Sequence, residues 1–259
     1  AFYKKAIQRN PFNPHYYNNL GLVYRENRLY AEALMEYKRA IELDPDNLDA
    51  HNNLGIVYVG MERINDAAVE FETATQLDPK VANVHNNLGI VHAKQGNHDR
   101  AIHELNKAVS LGFDNADVHN NLAGVYLTQG STDRAITELK LALTCNPEDY
   151  NAHTNLGNAY LSKGRGDEAI SEFTAAIKYN PADGEIHYYL GNAWYRKGHY
   201  AAAADAFCQS VHYQPDNPLA HKMLGIIYAN YLNNFSGALF HLSETLRLDP
   251  QQPIAKELN

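Results

Sequence analysis

The feature that most constrains this chain is an interval. Gly21 and Gly55 lie 55 − 21 = 34 residues apart, and Gly89, Gly157, Gly191 and Gly225 continue the step, with Ala123 filling its one gap. Each small residue follows a leucine (Leu20, Leu54, Leu88, Leu122, Leu156, Leu190, Leu224) and stands three residues before a ring (Tyr24, Tyr58, His92, Tyr126, Tyr160, Trp194, Tyr228). Those offsets place leucine, small residue and ring together on one helix. A second stripe shares the register: Ala33, Ala67, Ala101, Ala135, Ala169 and Ala203, followed four residues later by Tyr37, Phe71, Leu105, Leu139, Phe173 and Phe207. Two short amphipathic helices cannot enclose a core, so successive units must stack and bury one another's stripes. The 259 residues, 45% of them hydrophobic, carry enough apolar mass for this without disulfides or metals.

Punctuation sets the helix limits. Pro45, Pro79, Pro147, Pro181 and Pro215 close units, Phe113 stands in for one proline, and Asn47, Asn115, Asp149, Asp183 and Asn217 are side-chain caps opening the next helix, with Val81 a poor one. Gly96, Gly130, Gly164 and Gly198 mark the turn inside a unit, where positive φ suits glycine. First helices are expected near 14–27, 48–61, 82–95, 116–129, 150–163, 184–197 and 218–231, and second helices near 31–44, 65–78, 99–112, 133–146, 167–180 and 201–214. Ala238, Leu242 and Pro250 fall one residue late, which predicts a single insertion around 230–235 and a last helix near 236–249. The repeat boundaries read 14–47, 48–81, 82–115, 116–149, 150–183, 184–217 and 218–252. Residues 1–13 read as the second helix of a partial repeat and 253–259 as the start of a truncated helix, as in a piece of a longer array.

This Leu-Gly-x-x-Tyr, Ala-x-x-x-Phe and Pro pattern resembles the tetratricopeptide repeat family over nearly the whole chain. The resemblance implies an all-α, right-handed superhelical solenoid of antiparallel helix pairs, with a concave groove lined by first helices. It also implies that the periodic residues are core, so function belongs at positions the fold does not require.

One such register holds Asn19, Asn53, Asn87, Asn121 and Asn155, giving way to Tyr189 and Met223. An asparagine amide offers a donor and an acceptor, which is what binding an extended peptide backbone needs. The row is similar to the asparagine ladder of the repeat arm of O-linked N-acetylglucosamine transferase, which implies backbone capture along the groove. Three residues on, Leu22, Ile56 and Ile90 would supply apolar patches beside the ladder, continued by Leu127 and Leu161, and Tyr188 or Tyr189 would be an aromatic anchor. The bland alternative is that these asparagines bond locally near helix starts, since Asn18, Asn52, Asn86 and Asn120 precede them. Family members that hold carboxylate-terminated tails line the groove with lysine and arginine. Here the ladder register has no arginine and the helix-entry register (Asp49, Asn83, Asp117, Asn151, Glu185) no lysine, which argues for a neutral or basic peptide.

Other chemistries do not assemble. The net charge of −8 argues against nucleic acid and anionic membrane surfaces, and no apolar run is long enough for membrane insertion. His51, His85, His119, His153, His187 and His221 recur one per unit, too far apart to share an ion, so they are expected to be semi-buried packing residues whose protonation near pH 6 loosens several interfaces together. Neither Cys145 nor Cys208 belongs to a metal or nucleophile motif, and Gly164-Arg165-Gly166 lacks the features of a phosphate loop. The expectation is therefore a non-catalytic, cytoplasmic protein-interaction scaffold with no cofactor or metal, binding an extended peptide segment of a protein partner. The alternatives are a substrate-recruiting arm of a larger enzyme such as a glycosyltransferase, and a self-assembling module that forms homo-oligomers.

Overall fold

The computed structural model describes residues 2–250, so the expected helix start at 253–259 lies outside the described residues. The described residues form fifteen α-helices and no strand. They fall into two compact units, Ala1–Gln129 and Gly130–Asn259. The first carries α1 (Phe2–Arg9), α2 (Pro14–Glu26), α3 (Tyr30–Leu43), α4 (Leu48–Gly60), α5 (Ile64–Leu77), α6 (Ala82–Lys94), α7 (His98–Ser110) and α8 (Ala116–Thr128). The second carries α9 (Thr132–Cys145), α10 (Tyr150–Ser162), α11 (Gly166–Tyr179), α12 (Gly184–Arg196), α13 (Tyr200–Tyr213), α14 (Pro218–Asn230) and α15 (Phe235–Leu248). Within each unit the pairs α2–α3, α4–α5, α6–α7, α10–α11, α12–α13 and α14–α15 pack as hairpins, and each second helix also touches the next first helix.

Local chemistry explains the limits. Asn47, Asn115, Asp149, Asp183 and Asn217 each accept a backbone N–H at the start of a first helix, as does Asn13, whereas Val81 makes no such bond. Inside the hairpins Gly96, Gly130, Gly164 and Gly198 take φ of 77, 74, 74 and 78°, and Arg28, Glu62 and Asn233 hold the same left-handed place at 58, 60 and 53°. Second helices begin one residue earlier than the spacing predicts, because the turn closes as a tight Schellman-type loop, as where Asn97 N–H donates to the His92 carbonyl. The helix α7 stops at Ser110 rather than running to 112, since Gly112 at φ 95° and the bond from Phe113 N–H to the Ala108 carbonyl finish it where a proline would otherwise follow.

The small residue of the first helix exists for the ring of the second. A Cβ at Gly55 would lie 2.6 Å from Phe71 Cε1, one at Gly157 2.6 Å from Phe173 Cε1, and one at Gly191 2.7 Å from Phe207 Cε1. These rings are fully buried and cannot retreat, so glycine's helix penalty of about 1 kcal/mol is outweighed by the packing it permits. On the exposed side, repeats are tied by a recurring bond: Gln95 to Asn65 (3.0 Å), Gln129 to Asp99 (3.2 Å), Lys163 to Asp133 (2.9 Å) and Lys197 to Asp167.

Candidate functional site

First helices of the first unit carry two adjacent asparagines, and the two rows bond to each other. Asn53 Nδ2 donates to Asn18 Oδ1 at 3.1 Å, Asn87 Nδ2 to Asn52 Oδ1 at 3.1 Å, and Asn121 Nδ2 to Asn86 Oδ1 at 3.3 Å. Each bond joins a first helix to the one before it, so the ladder fastens α4 to α2, α6 to α4 and α8 to α6. The partner is a side chain one repeat back, rather than the nearby backbone that a local role for these residues would use. An amide has two N–H donors and a carbonyl oxygen, so one bond leaves capacity over. Arg25 Nη1 takes up Asn53 Oδ1 at 3.1 Å, while Asn87 and Asn121 keep Oδ1 and a second N–H without a protein partner among the described residues. Asn19, Asn53, Asn87 and Asn121 are half-buried and Asn155 is exposed.

The ladder borders two clefts, one in each unit. In the first, Asn121 meets Ile90, Ala93, Lys94 and Gly124 around about 230 Å³. In the second, α10 and α12 enclose about 180 Å³ between Asn155, Asn158, Thr154, Glu185 and Tyr189. The Tyr189 ring stacks on Phe173 at 5.9 Å, and its hydroxyl donates to Glu185 Oε1 at 2.5 Å. Burial first, and the Glu185 carboxylate second, push this phenol up to about 12, so it stays a neutral donor held in place. Tyr188 instead tilts against the Phe207 ring at 5.6 Å in the core.

The expected apolar line is only partly assembled. Leu22, Ile56 and Ile90 are all half-buried; Ile56 packs against the core around Leu54, Tyr58 and Phe71, and Ile90 lines the first cleft. Leu161 lies elsewhere, beside Gly164 and Arg196.

The histidine register forms a second network that the sequence reading missed. His51 Nδ1 meets Glu70 Oε2 at 2.7 Å and its Nε2 meets the Pro45 carbonyl at 3.0 Å. His85 repeats this with Glu104 (2.6 Å) and Pro79 (3.0 Å), and His153 with Glu172 (2.6 Å) and Pro147 (3.1 Å). Each ring clamps the first helix to the second helix of its repeat and to the turn before it. The available signal was the recurrence of Glu70, Glu104, Glu138 and Glu172 in the same 34-residue register, since 104 − 70 = 34. The hydrogen bond to Glu70 is the main cause that raises His51 above the usual histidine value of 6.5. Protonation therefore tightens this interface, against the expectation that acid loosens several of them together. At the last repeat His221 Nδ1 faces His241 Nδ1 at 2.9 Å, and burial, then the neighbouring His221, lowers His241 to about 4. Acid acts against that contact alone of the two.

Among the described residues no helix is long and apolar enough to cross a membrane. Comparison with curated proteins gives no significant match. Among solved structures the chain is similar to YrrB, described as a TPR protein with an unusual peptide-binding site (23% identity, 71% of this chain and 95% of that one, TM-score 0.60). It is similar to PilF of Pseudomonas aeruginosa (24% identity, 81% and 95%, TM-score 0.70) and to MamA (28% identity, 62% and 94%, TM-score 0.58). A tetratricopeptide repeat model matches residues 160–227, and the model of the cilia and flagella-associated protein 70 C-terminal domain matches residues 1–185. With its repeated hairpins, its small-residue and ring pairing and these matches, the chain belongs to the tetratricopeptide repeat proteins, in the family of the cilia and flagella-associated protein 70 C-terminal domain.

Proposed function

We propose that the chain is a non-catalytic scaffold that holds an extended peptide segment of a partner protein against its first helices. The observation that carries this is the spare capacity of the ladder: Asn87 and Asn121 are each oriented by one bond to the preceding repeat and still present an acceptor and a donor. An extended backbone exposes alternating C=O and N–H groups that match this pairing. In the first unit Asn19 and Asn53 continue the row and Leu22, Ile56 and Ile90 flank it with apolar surface; in the second, Asn155 borders the cleft between α10 and α12, where Tyr189 anchors a side chain. The unusual peptide-binding site named for YrrB supports the reading by analogy, and the match to the cilia and flagella-associated protein 70 C-terminal domain supports a partner in cilia or flagella. The array is read as one series of repeats with the boundaries 14–47 through 218–252.

The test separates binding from fastening. Replacing Asn87 and Asn121 with alanine removes the outer amides, while replacing Asn52 and Asn86 removes their inner partners and leaves the outer ones. Both variants lose bonds worth about 1 kcal/mol each and melt slightly earlier. In a screen against extended peptides, only the outer pair should weaken binding, by roughly tenfold. Equal affinity of both variants and the parent protein would sink the ladder as a binding surface.

A further inference from the structure

The sixth repeat breaks the histidine network, and the break opens onto a groove. In three repeats a glutamate 19 residues after the histidine holds its Nδ1 at 2.6–2.7 Å. The same count from His187 reaches Ala206, which has no group to offer. His187 keeps its other bond, with Nε2–H donating to the Pro181 carbonyl at 3.0 Å, and Tyr213 stacks on the ring at 5.4 Å. The imidazole is thus fixed in the orientation its siblings have, is only 8% exposed, and has no partner at Nδ1 among the described residues. The alanine on α13 that stands in for the glutamate also removes bulk, as does Ala202 one turn before it: the two form one wall of a groove of about 480 Å³. Thr174 and Ile177 of α11 form the other wall, and Leu190 and Trp194 lie with His187 on α12.

We propose that this groove takes an apolar segment of a partner protein carrying one carboxylate, which docks on His187 Nδ1 where the other repeats supply their own glutamate. The site lies on another face of α12 from the cleft that holds Tyr189, so it is a second docking point beyond the peptide groove. Charge and shape set the chemistry. A carboxylate completes an ion pair whose geometry the fold builds three times over, and the aliphatic and indole surfaces take a flanking leucine or phenylalanine. Asp205 borders the groove and disfavours a densely acidic ligand, which is why a single carboxylate among apolar residues fits best.

Trp194 is the chain's single tryptophan and lines the groove, so its emission reports occupancy directly. The probes are end-blocked peptides in which one Glu stands among Leu and Phe residues, each paired with a Glu→Gln twin. Glu peptides should shift Trp194 emission on saturation, bind roughly tenfold or more tightly than their twins, and put a proton on Nδ1 in nitrogen NMR of the His187 ring. Ala206→Glu supplies the missing carboxylate from within: it should raise the melting temperature and abolish binding. Should that variant misfold, Ala202→Met, on the same wall and half-exposed, blocks the groove without touching His187. Equal binding of Glu peptides and Gln twins, undiminished binding to the blocked variants, binding of free fatty acid alone, or no Glu-dependent binding across the set overturns the proposal. Substitution of Asn87 and Asn121 should leave this binding unchanged, which keeps its outcome separate from that of the ladder.

Discussion

Repetition provides an internal control at each residue position, because siblings show what the place accepts. Tyr37 sits where other repeats have Phe71, Phe173 and Phe207, and its fully buried hydroxyl has no hydrogen-bond partner. Burial pushes that phenol up to about 12, the mark of a hydroxyl in an apolar site. Ser210 likewise stands in the register of Ala40, Ala74, Ala108, Ala142 and Ala176 with its Oγ buried and unbonded. Since an unsatisfied buried hydroxyl costs about 1–3 kcal/mol, Tyr37→Phe and Ser210→Ala should each raise stability by about 1 kcal/mol in denaturant titrations. A loss of stability in either would show that the hydroxyl has a role the packing does not reveal. The turn tells the same story in backbone terms. Glu62 holds φ 60° where Gly96 holds 77°, so Glu62→Gly should stabilise by up to about 1 kcal/mol despite glycine's looser unfolded chain. An unchanged or lower unfolding midpoint would refute it.

Between elements, the histidine clamps make pH a local variable rather than a global one. His51 is raised above 6.5 by Glu70, so its contribution is complete below that value and is lost as pH climbs through the raised one. His241 is lowered to about 4, so the unfolded chain binds its proton first, and the contribution present above 6.5 is lost as pH falls towards 4. Melting curves from about pH 8 down to about pH 4.5 should therefore show two opposed slopes. Glu70→Gln should flatten the upper one and His241→Gln the lower one; a single slope untouched by either variant would contradict the assignment. The limits of these elements were legible in the sequence, because a cap such as Asp149 and a turn such as Gly164 act through backbone chemistry within a few residues. The bonds between elements were not. Asn87 meets Asn52 and His85 meets Glu104 only after helices have packed, and no local rule names partners 35 or 19 residues away. The packing of Ile56 against the core has the same origin, since its face of α4 is decided by neighbours rather than by its distance from Asn53.

At the scale of the whole chain, each repeat is stabilised by the neighbours it touches, so protection should follow contact. The helix α1 buries no residue and α15 buries only Ala238 and Thr245, while α6 buries seven, Val84 and Val91 among them. Phe235 and Leu239 of α15 are 69% and 70% exposed. Hydrogen exchange should be fastest in α1 and α15 and slowest in helices such as α6; uniform protection would mean that something covers those faces in solution. Such a gradient follows from geometry that the 34-residue spacing already implied, whereas the docking points rest on exceptions to the spacing. Asn155, Tyr189 and His187 matter because of what their repeats lack or change, and a pattern cannot announce its own departures.

One of those departures has a practical side. In the last repeat an extra residue is absorbed between α14 and α15, where Asn233 takes the left-handed place of the turn glycine. The helices then dock as their siblings do: Leu242 comes to lie against Gly225, and His241 reaches His221 across 20 residues instead of 19. The array keeps time by space and not by counting. That turn is accordingly a natural splice point, where a reporter loop or a protease site can be written into the chain between Tyr231 and Asn234 while the stacked helices on either side read on undisturbed.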